Sequence, residues 1–306
     1  MGPENAVIAP WLFFAFLTPA LYPIANYCDK IALDHCGIKP LSLCALVYFG
    51  FAVQSLVVAL AVGGPFAPLA AGAPLLLAGV FFAAFALPYY KALTLDAASV
   101  VVPLFQFSPV FVILFDVAVL GERFTTSQAV GSALILGCGF ACAVEREPGR
   151  LFKLRPALGY MVLSSLLYAA SGPLMRIGLE RNSPNSALLY QSLGMLITSL
   201  GLFAAARRGG GAPFAKRPPL FWLLLTLNCT VGTAALLGAI RAVDEVSASL
   251  ARVVEASQPI FIFILGAVLT RLFPRFVHED LRPKTIVKKT VIGCGIIIGA
   301  YFLQRT

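Results

Sequence analysis

Two charged side chains interrupt an otherwise apolar stretch of this chain and are the first candidates for chemistry. Arg252 and Glu255 lie one helical turn apart near the start of "ARVVEASQPIFIFILGAVL", residues 251–269, and Ser249 precedes them at the same spacing. A guanidinium group offers a fork of donors to a carboxylate or another anion, and a carboxylate binds an amine or carries a proton. The spacing predicts a site for an amino-acid-like zwitterion, with proton coupling through Glu255 as a further role. The alternative is that Arg252 and Glu255 neutralise each other and only fill space between the helices.

Polar residues in other apolar stretches are candidates to complete this site. Tyr22, Asn26 and Asp29 follow an i, i+4, i+7 spacing, so that a helix presents them on one face. An ionisable group inside a membrane helix marks a functional site by default. The predicted substrate-binding residues are Arg252, Glu255, Ser249, Tyr22, Asn26, Tyr90 and Gln106. A second group lies close to the ends of apolar stretches and is interpreted as side chains that reach for the membrane surface: Asp29, Lys30, Lys91, Arg176 and Arg241.

The composition predicts the elements that must position these residues. The chain of 306 residues is 59% hydrophobic and 12% charged, with a mean hydropathy of +0.88, whereas soluble domains carry about 25% charged residues. Ten apolar stretches approach the roughly 20 residues that a bilayer requires. They cover residues 8–29, 41–63, 73–93, 98–119, 127–144, 157–178, 185–205, 219–239, 246–269 and 287–303. Because no connection between them is long enough for a soluble domain, the function must lie within the membrane bundle.

The chain also repeats itself. "DKIALD" at 29–34 resembles "MRIGLE" at 175–180, and "LGCGFACA" at 136–143 resembles "IGCGIIIG" at 292–299. "FSPVFVILFDVAVLGERF", from residue 107, resembles "SQPIFIFILGAVLTRLFP", from residue 257. These matches predict two repeats, residues 1–144 and 157–304, of five helices each. An odd number of crossings inverts the second repeat, so we expect an all-α membrane protein of ten transmembrane helices with a binding site near mid-membrane between the repeats.

Proline and glycine recur at equivalent places in the two repeats. Pro109 and Pro259 interrupt the backbone hydrogen bonds of equivalent stretches, which predicts either a packing kink or a hinge with an exposed carbonyl beside a site. Small residues let helices approach closely. The glycines of the fifth stretches therefore predict a tight contact, between the repeats or between the subunits of a homodimer: Gly137, Gly139, Gly293 and Gly295.

The segment "YYKALTLDAASVVVPLFQFSPVFVILFDVAVLGERFTTSQAVGSALILGCGF", residues 89–140, resembles the EamA domain of the drug/metabolite transporter superfamily. The second repeat is similar more loosely, through "SASLARVVEASQPIFIF", and lacks the "GER" of the first. The resemblance implies a secondary active transporter that works by alternating access. Relatives move amino acids, nucleotide sugars, phosphorylated sugars and amines, so the resemblance leaves the substrate open and supplies no catalytic residue.

Other function classes are less compatible with the sequence. The chain has no "GK[ST]" motif for ATP, and its two histidines, His35 and His278, lie outside the apolar stretches, which disfavours most intramembrane enzymes. The seven cysteines are scattered in apolar surroundings, typical of small buried thiols. We therefore expect no enzyme activity, cofactor, metal or nucleic-acid partner. The runner-up function is a flippase for a lipid-linked head group, which a lateral opening and a basic rim would favour.

We expect the chain to reside in a bacterial plasma membrane and to bind a small-molecule substrate there. Of the 23 Lys and Arg residues, 17 fall in the connections after odd-numbered stretches or at the stretch ends that border them. Cytoplasmic loops carry the positive excess, so the charge distribution predicts that both termini lie outside. The family resemblance implies the opposite orientation, with both termini in the cytoplasm.

Overall fold

The computed structural model describes residues 10–63, 66, 68–120, 125–147, 150–209, 216–245, 255 and 257–303. Within them the chain is almost entirely helical. The helices are α1 (Pro10–His35), α2 (Pro40–Val62), α3 (Leu69–Ala84), α4 (Ala86–Leu93), α5 (Ala98–Leu104), α6 (Ser108–Leu120), α7 (Thr126–Ala143), α8 (Ala157–Leu179), α9 (Pro184–Arg208), α10 (Pro219–Glu245), α11 (Gln258–Leu272) and α12 (Pro283–Leu303).

Local sequence determines where several of these helices begin. Proline stands at the first position of α2, α9, α10 and α12, where its missing N–H is not needed and its fixed φ is already helical. The start of α9 has a side-chain cap as well, because the backbone N–H of Ser186 donates to the Ser183 hydroxyl at 3.2 Å. The helix boundaries thus follow from capping chemistry, and the apolar composition decides that the helices are buried or face lipid.

Each of the ten apolar stretches coincides with helix in the described residues. Six helical segments are long and apolar enough to cross a membrane on their own: Pro40–Val62, Leu69–Leu93, Ala157–Leu179, Pro184–Arg208, Pro219–Ala242 and Pro283–Phe302. The first stretch forms the 26-residue α1 and the other three form shorter or interrupted helices in the described residues, so the number of ten crossings stays a prediction. The connection between the repeats adds an element that the sequence did not predict, a short antiparallel hairpin of β1 (Val144–Glu147) and β2 (Arg150–Leu154).

The two repeats interlock through helix pairs that are equivalent to one another. Helix α1 packs against α10, and its counterpart α8 packs against α3. Helix α6 packs against α8, and its counterpart α11 packs against α1. The pairs α2–α9 and α7–α12 each join one helix to its own counterpart. When each helix is replaced by its counterpart in the other repeat, the same set of helix pairs results. Two repeats related by a twofold axis are expected to show this pattern.

Small residues bring these helices into close contact. In the crossing of α3 and α9, a Cβ on Gly79 would clash with the carbonyl oxygen of Gln191, and a Cβ on Gly194 would clash with that of Leu76. The backbones therefore touch at a point that only glycine permits.

The glycines of the fifth stretches behave differently from one another. Gly295 of α12 lies against the Cys138 sulfur of α7, where a Cβ would stand only 2.5 Å from it, so this glycine makes the close contact between the repeats that the sequence predicts. Gly293 has ordinary contacts, and Gly137 has open space around it. The surroundings of Gly139 lie outside the described residues.

Serines of the second repeat donate to backbone carbonyls at two irregular points of the first. A turn at Phe85 separates α3 from α4, although helical hydrogen bonds continue through it, and the fourth stretch contains a 3₁₀ turn, Phe105–Phe107, before α6. Pro109 lacks the N–H that would pair with the Phe105 carbonyl. The Ser165 hydroxyl donates to that carbonyl at 3.3 Å, and the Ser164 hydroxyl donates to the Phe85 carbonyl at 2.9 Å.

The predicted proline interruption coincides in the first repeat with the 3₁₀ turn before α6. Pro259 lies at the second position of α11, as Pro109 does in α6. Side-chain donors such as Ser165 make the unpaired carbonyl beside Pro109 tolerable within a membrane.

Candidate functional site

A cavity of about 110 Å³ lies between the two repeats. For comparison, an engineered cavity of about 150 Å³ holds benzene, so the space suits a small ligand. The first repeat supplies most of the wall and the second closes it. The lining residues are Thr18, Tyr22, Ala25, Asn26, Asp29, Val47, Tyr48, Phe51, Phe82, Phe85, Tyr89, Tyr90, Val102, Phe105, Ser108, Tyr168, Asn228, Gly232, Glu255 and Gln258.

Helix α1 contributes the most polar part of the wall. Tyr22, Asn26 and Asp29 all line the cavity, as their shared helical face predicts. Thr18, one turn earlier, donates its hydroxyl to the carbonyl of Ala235 at 3.2 Å. That bond ties α1 to α10 and fixes the polar face toward the cavity.

Asp29 is the buried acid of this cavity, with 5% of its surface exposed. The Asn228 amide nitrogen donates to its carboxylate at 2.6 Å and to the Ala25 carbonyl at 3.2 Å, and the Tyr90 hydroxyl also hydrogen-bonds it. Within the described residues no Lys or Arg forms an ion pair with Asp29. Its neighbour Lys30 points elsewhere and binds the Leu93 carbonyl at 2.6 Å.

Two more polar atoms of the wall find no hydrogen-bond partner among the described residues. The Asn26 amide nitrogen and the Tyr89 hydroxyl are buried, and neither finds a hydrogen bond within the part of the chain that the structure describes. Buried polar groups are normally satisfied, and each exception calls for an explanation such as a ligand. The cavity thus offers hydrogen-bonding capacity that the fold itself does not use.

Aromatic rings form the rest of the wall and are called the aromatic box. Its members are Tyr22, Tyr48, Phe51, Phe82, Phe85, Tyr89, Tyr90, Phe105 and Tyr168. The rings support one another through edge and tilted contacts: Tyr168 lies 4.9 Å from Phe105 and 5.2 Å from Phe85 between centroids. Such pairs fix ring orientation, so the box presents a rigid π surface around the polar face of α1.

A second polar network connects the repeats beyond one end of the cavity and is called the latch. It consists of Tyr27, Ser99, Glu279 and Lys289. The Tyr27 hydroxyl donates to the Glu279 carboxylate at 3.1 Å, and the Lys289 ammonium lies 3.0 Å from the same carboxylate. The Ser99 hydroxyl donates to Glu279 and accepts from Lys289 at 2.6 Å. Both charges of the latch are therefore neutralised within the protein.

The latch lies between the cavity and an outer pocket. Along α1 the cavity residues end at Asp29, and the outer pocket is lined by Tyr27, Lys30 and Asp34. The connection from α4 to α5 shows the same order, since residues 94–98 line only the outer pocket. Glu279 lines the outer pocket as well and does not line the cavity. The latch therefore lies beside the outer pocket, toward the end of the bundle that carries most of the loop cations.

Further contacts hold the same end together. The Arg155 guanidinium pairs with the Asp96 carboxylate across the repeats. His35 and the Phe276 carbonyl lie 3.2 Å apart, and Arg217 donates to the Gly37 carbonyl at 2.8 Å. This end is thus joined by several ionic and polar contacts in addition to the latch.

The structure brings four of the seven predicted substrate-binding residues into one cavity: Glu255, Tyr22, Asn26 and Tyr90. Glu255 lies close enough to Tyr22 to interact electrostatically. Gln106 lies in the 3₁₀ turn between the lining residues Phe105 and Ser108, and its side chain lies outside the described residues. Ser249 and Arg252 also fall outside them.

One interpretation from the sequence is wrong. Asp29 was expected to reach for the membrane surface, but α1 continues to His35, so Asp29 stays inside the bundle and lines the cavity. The other members of that group lie outside the cavity: Lys91, Arg176 and Arg241 are exposed, and Lys30 pairs with Asp34 at 3.2 Å.

Sequence reasoning missed the latch and the role of Asn228. The last apolar stretch starts at residue 287, whereas α12 starts at Pro283, so Lys289 lies nearly two turns inside this helix and not at its start. The proline–lysine run "RPKTIVKK" is a helix start that capping preferences could have identified. The partnership of Asn228 with Asp29 spans 199 residues and has no local signal.

Comparisons with known proteins agree with this architecture. The model of the EamA-like transporter family matches residues 9–141 and 155–304. A crystal structure described only as that of a protein is 16% identical to this chain, covers 96% of each chain and gives a TM-score of 0.61; it is among 21 solved chains that match, and at this identity the likeness shows the fold alone. None of the curated proteins compared matches the chain. Because the family model matches both repeats and nearly the whole chain, this multi-pass membrane protein belongs to the EamA-like transporter family.

Proposed function

We propose that the protein is a secondary active transporter that moves a small polar metabolite through the cavity by alternating access. The observation that carries this proposal is the placement of the cavity. Both repeats line it, and the latch joins the two repeats beside the outer pocket. In inverted-repeat transporters the site lies at the repeat interface, and movement of one repeat against the other exposes it to each side in turn.

The substrate predicted from the sequence is an amino-acid-like zwitterion. Glu255 lines the cavity and supplies a carboxylate for the amine or for a coupled proton. Arg252, the predicted partner of the substrate carboxylate, lies outside the described residues, so that half of the prediction rests on the sequence. The cavity volume of about 110 Å³ supports a small metabolite over a lipid-linked head group.

Alternating access can be tested without knowing the substrate. Ser108 is buried and lines the cavity, so Ser108→Cys places a thiol there. A Thr94→Cys variant places a control thiol in the outer pocket, on the exposed side of the latch. Both variants are reconstituted in vesicles of defined orientation and treated with a membrane-impermeant thiol reagent from one side at a time, with the parent chain as the background.

The position of the latch determines from which side each thiol is expected to react. We expect the thiol at 108 to react from the side opposite the latch and to gain reactivity from the latch side when Glu279→Ala is added. The thiol at 94 should react from the latch side in either background. Equal reaction of the thiol at 108 from both sides in the parent background would indicate a pore, and no reaction from either side in any background would indicate a sealed bundle. Either result overturns the proposal.

A further inference from the structure

We infer that the cavity selects a small organic ammonium ion, whose charged nitrogen binds the Asp29 carboxylate inside the aromatic box. This inference rests on the proposed transport function and names the substrate class for the same cavity. It differs from the prediction made from the sequence in two respects. The ammonium group binds Asp29 rather than Glu255, and the substrate needs no carboxylate.

The charge distribution of the cavity is the first argument. Asp29 and Glu255 are acidic, and no Lys, Arg or His among the described residues lines the cavity. A carboxylate buried without a cation carries a desolvation penalty that neutral hydrogen bonds offset only in part. The amide of Asn228 and the hydroxyl of Tyr90 are both neutral donors. A cation in the cavity would therefore be held more strongly than an uncharged molecule of the same shape.

The aromatic box is the second argument. An ammonium ion within about 6 Å of an aromatic centroid is attracted by the ring face, and cages of aromatic rings recognise alkylated ammonium groups. Phe85, Phe105 and Tyr168 pack against one another with centroids 4.9 to 5.2 Å apart, so that they enclose one side of the cavity. An apolar substituent on the nitrogen would pack against these rings and be removed from water.

The unsatisfied polar atoms are the third argument. The Asn26 amide nitrogen and the Tyr89 hydroxyl are buried in the wall without partners in the described residues. Asn26 lies one turn before Asp29 on α1, and Tyr89 lies next to Tyr90, which hydrogen-bonds Asp29. Polar capacity left open on both sides of the carboxylate indicates a binding position and not a packed core.

The lining also disfavours a second negative charge on the ligand. A substrate carboxylate would share about 110 Å³ with the Asp29 carboxylate, and within a low-dielectric site like charges repel strongly. Arg252 is the residue that could offset this repulsion, and it lies outside the described residues. A direct comparison of an amine with its α-carboxylated analogue therefore separates the two substrate classes.

Three matched probes test the inference with the purified full-length protein in detergent at neutral pH. Butylamine is a cation, 1-butanol is its uncharged analogue, and norvaline is butylamine with a carboxylate on the first carbon. The readout is the thermal unfolding midpoint as a function of probe concentration at matched ionic strength, since a ligand stabilises the state that it binds. The variants are Asp29→Asn and Glu255→Gln, and Asp280→Asn removes a carboxylate outside the cavity as the control.

We expect butylamine to raise the midpoint in the parent and in Asp280→Asn, 1-butanol to leave it unchanged, and norvaline to bind more weakly than butylamine. In Asp29→Asn the concentration of butylamine needed for the same shift should rise at least about tenfold, as expected for a lost charge-assisted hydrogen bond. In Glu255→Gln it should change less. If norvaline binds and butylamine does not, or if Glu255→Gln abolishes the response while Asp29→Asn keeps it, the inference is overturned.

A failure of this inference can be separated from a failure of the proposed function. If the thiol at 108 reacts from the latch side once Glu279→Ala is added, but butylamine has no effect on the parent, the transport proposal stands and the ammonium assignment is wrong. If butylamine stabilises the parent through Asp29 but the thiol never changes its accessible side, the cavity is a binding site and the transport proposal falls. Because the probe comparison in the parent needs no variant, misfolding of Asp29→Asn leaves the inference open to refutation.

Discussion

The cavity and the latch each place a buried carboxylate between the two repeats, but the groups that contact the two carboxylates differ in charge. Asp29 has neutral donors around it and no cation among the described residues. Glu279 has Lys289 at 3.0 Å and two hydroxyl donors, from Tyr27 and Ser99. Asp29 is 5% exposed as a residue, and the Glu279 side chain is also 5% exposed although that residue as a whole is half-buried. Burial alone therefore does not distinguish a binding carboxylate from a structural one.

The groups that surround each carboxylate make the distinction. A buried charge that the protein itself neutralises holds two elements together, and removing one partner leaves an uncompensated charge behind. A buried charge that the protein leaves uncompensated awaits a cation or a proton from outside. The latch belongs to the first kind, and Asp29, which has no cationic partner among the described residues, fits the second, which is why we assign closure to one and binding to the other.

The largest effect should follow from breaking the latch on its cationic side. Lys289→Met leaves Glu279 buried without its partner, and we expect a loss of about 3–5 kcal/mol in the free energy of unfolding, measured by denaturant titration in detergent. Adding Glu279→Gln to this variant should restore much of that loss, because the orphaned charge is gone. If the double variant is as unstable as Lys289→Met, the pair does not act as a unit.

A smaller effect is expected from the donor that holds the cavity carboxylate. Asn228→Leu removes the amide that binds both Asp29 and the Ala25 carbonyl, and charged hydrogen bonds contribute about 1.5–3 kcal/mol. The free energy of unfolding should fall within this range in the same titration. Thr230→Val, an exposed polar-to-apolar change on the same helix, is the control. Equal losses in the two variants would contradict a special role for Asn228.

The aromatic box should contribute to the affinity for the ligand. Phe85→Leu keeps an apolar side chain but removes a ring face, and a cation–π contact is worth about 0.5–2 kcal/mol. Butylamine should therefore bind roughly 2- to 30-fold more weakly, measured by calorimetric titration. Phe273→Leu, an exposed phenylalanine outside the cavity, should leave the affinity unchanged. Unchanged affinity in Phe85→Leu would show that the box acts only as packing.

The smallest effect concerns an acid that is paired but exposed. Hydrogen bonds from the Arg282 side chain and backbone, and from Thr285, hold the pKa of Asp280 well below its usual value. A lowered folded-state pKa contributes stability above the unfolded value of about 3.9, and the contribution disappears as the pH falls through the folded value. Because solvent screens this pair, Asp280→Asn should leave the thermal midpoint unchanged between pH 5 and pH 8. A clear loss in that window would mean that exposure does not separate this pair from the latch.

Helical periodicity was sufficient to predict one side of the cavity. The spacing of Tyr22, Asn26 and Asp29 depends only on the helix, so their common face follows from the sequence. The position of α1 relative to the membrane does not follow from spacing. The apolar stretch ends near Asp29, whereas the helix ends at His35, and this difference turned a cavity residue into an expected surface residue.

Contacts between distant helices could not be predicted from local patterns. Glu279 follows α11 in a short connection, and Ser99 is the second residue of α5 in the other repeat. Their meeting depends on how the repeats interlock, which is set by packing of small residues such as Gly79 against Gln191. The internal repeat did predict that the site lies between the halves, because that property belongs to the architecture and not to any one residue.

One measurement tests the distinction between the two carboxylates most directly. Thermal midpoints of the parent, Asp29→Asn and Glu279→Gln are recorded with and without butylamine. Our account predicts that Asp29→Asn unfolds at or above the parent midpoint and loses the response to butylamine, whereas Glu279→Gln unfolds at a lower temperature and keeps the response. If Asp29→Asn is destabilised and still responds, or if Glu279→Gln loses the response while keeping the parent midpoint, the assignment of binding to Asp29 and closure to Glu279 is contradicted.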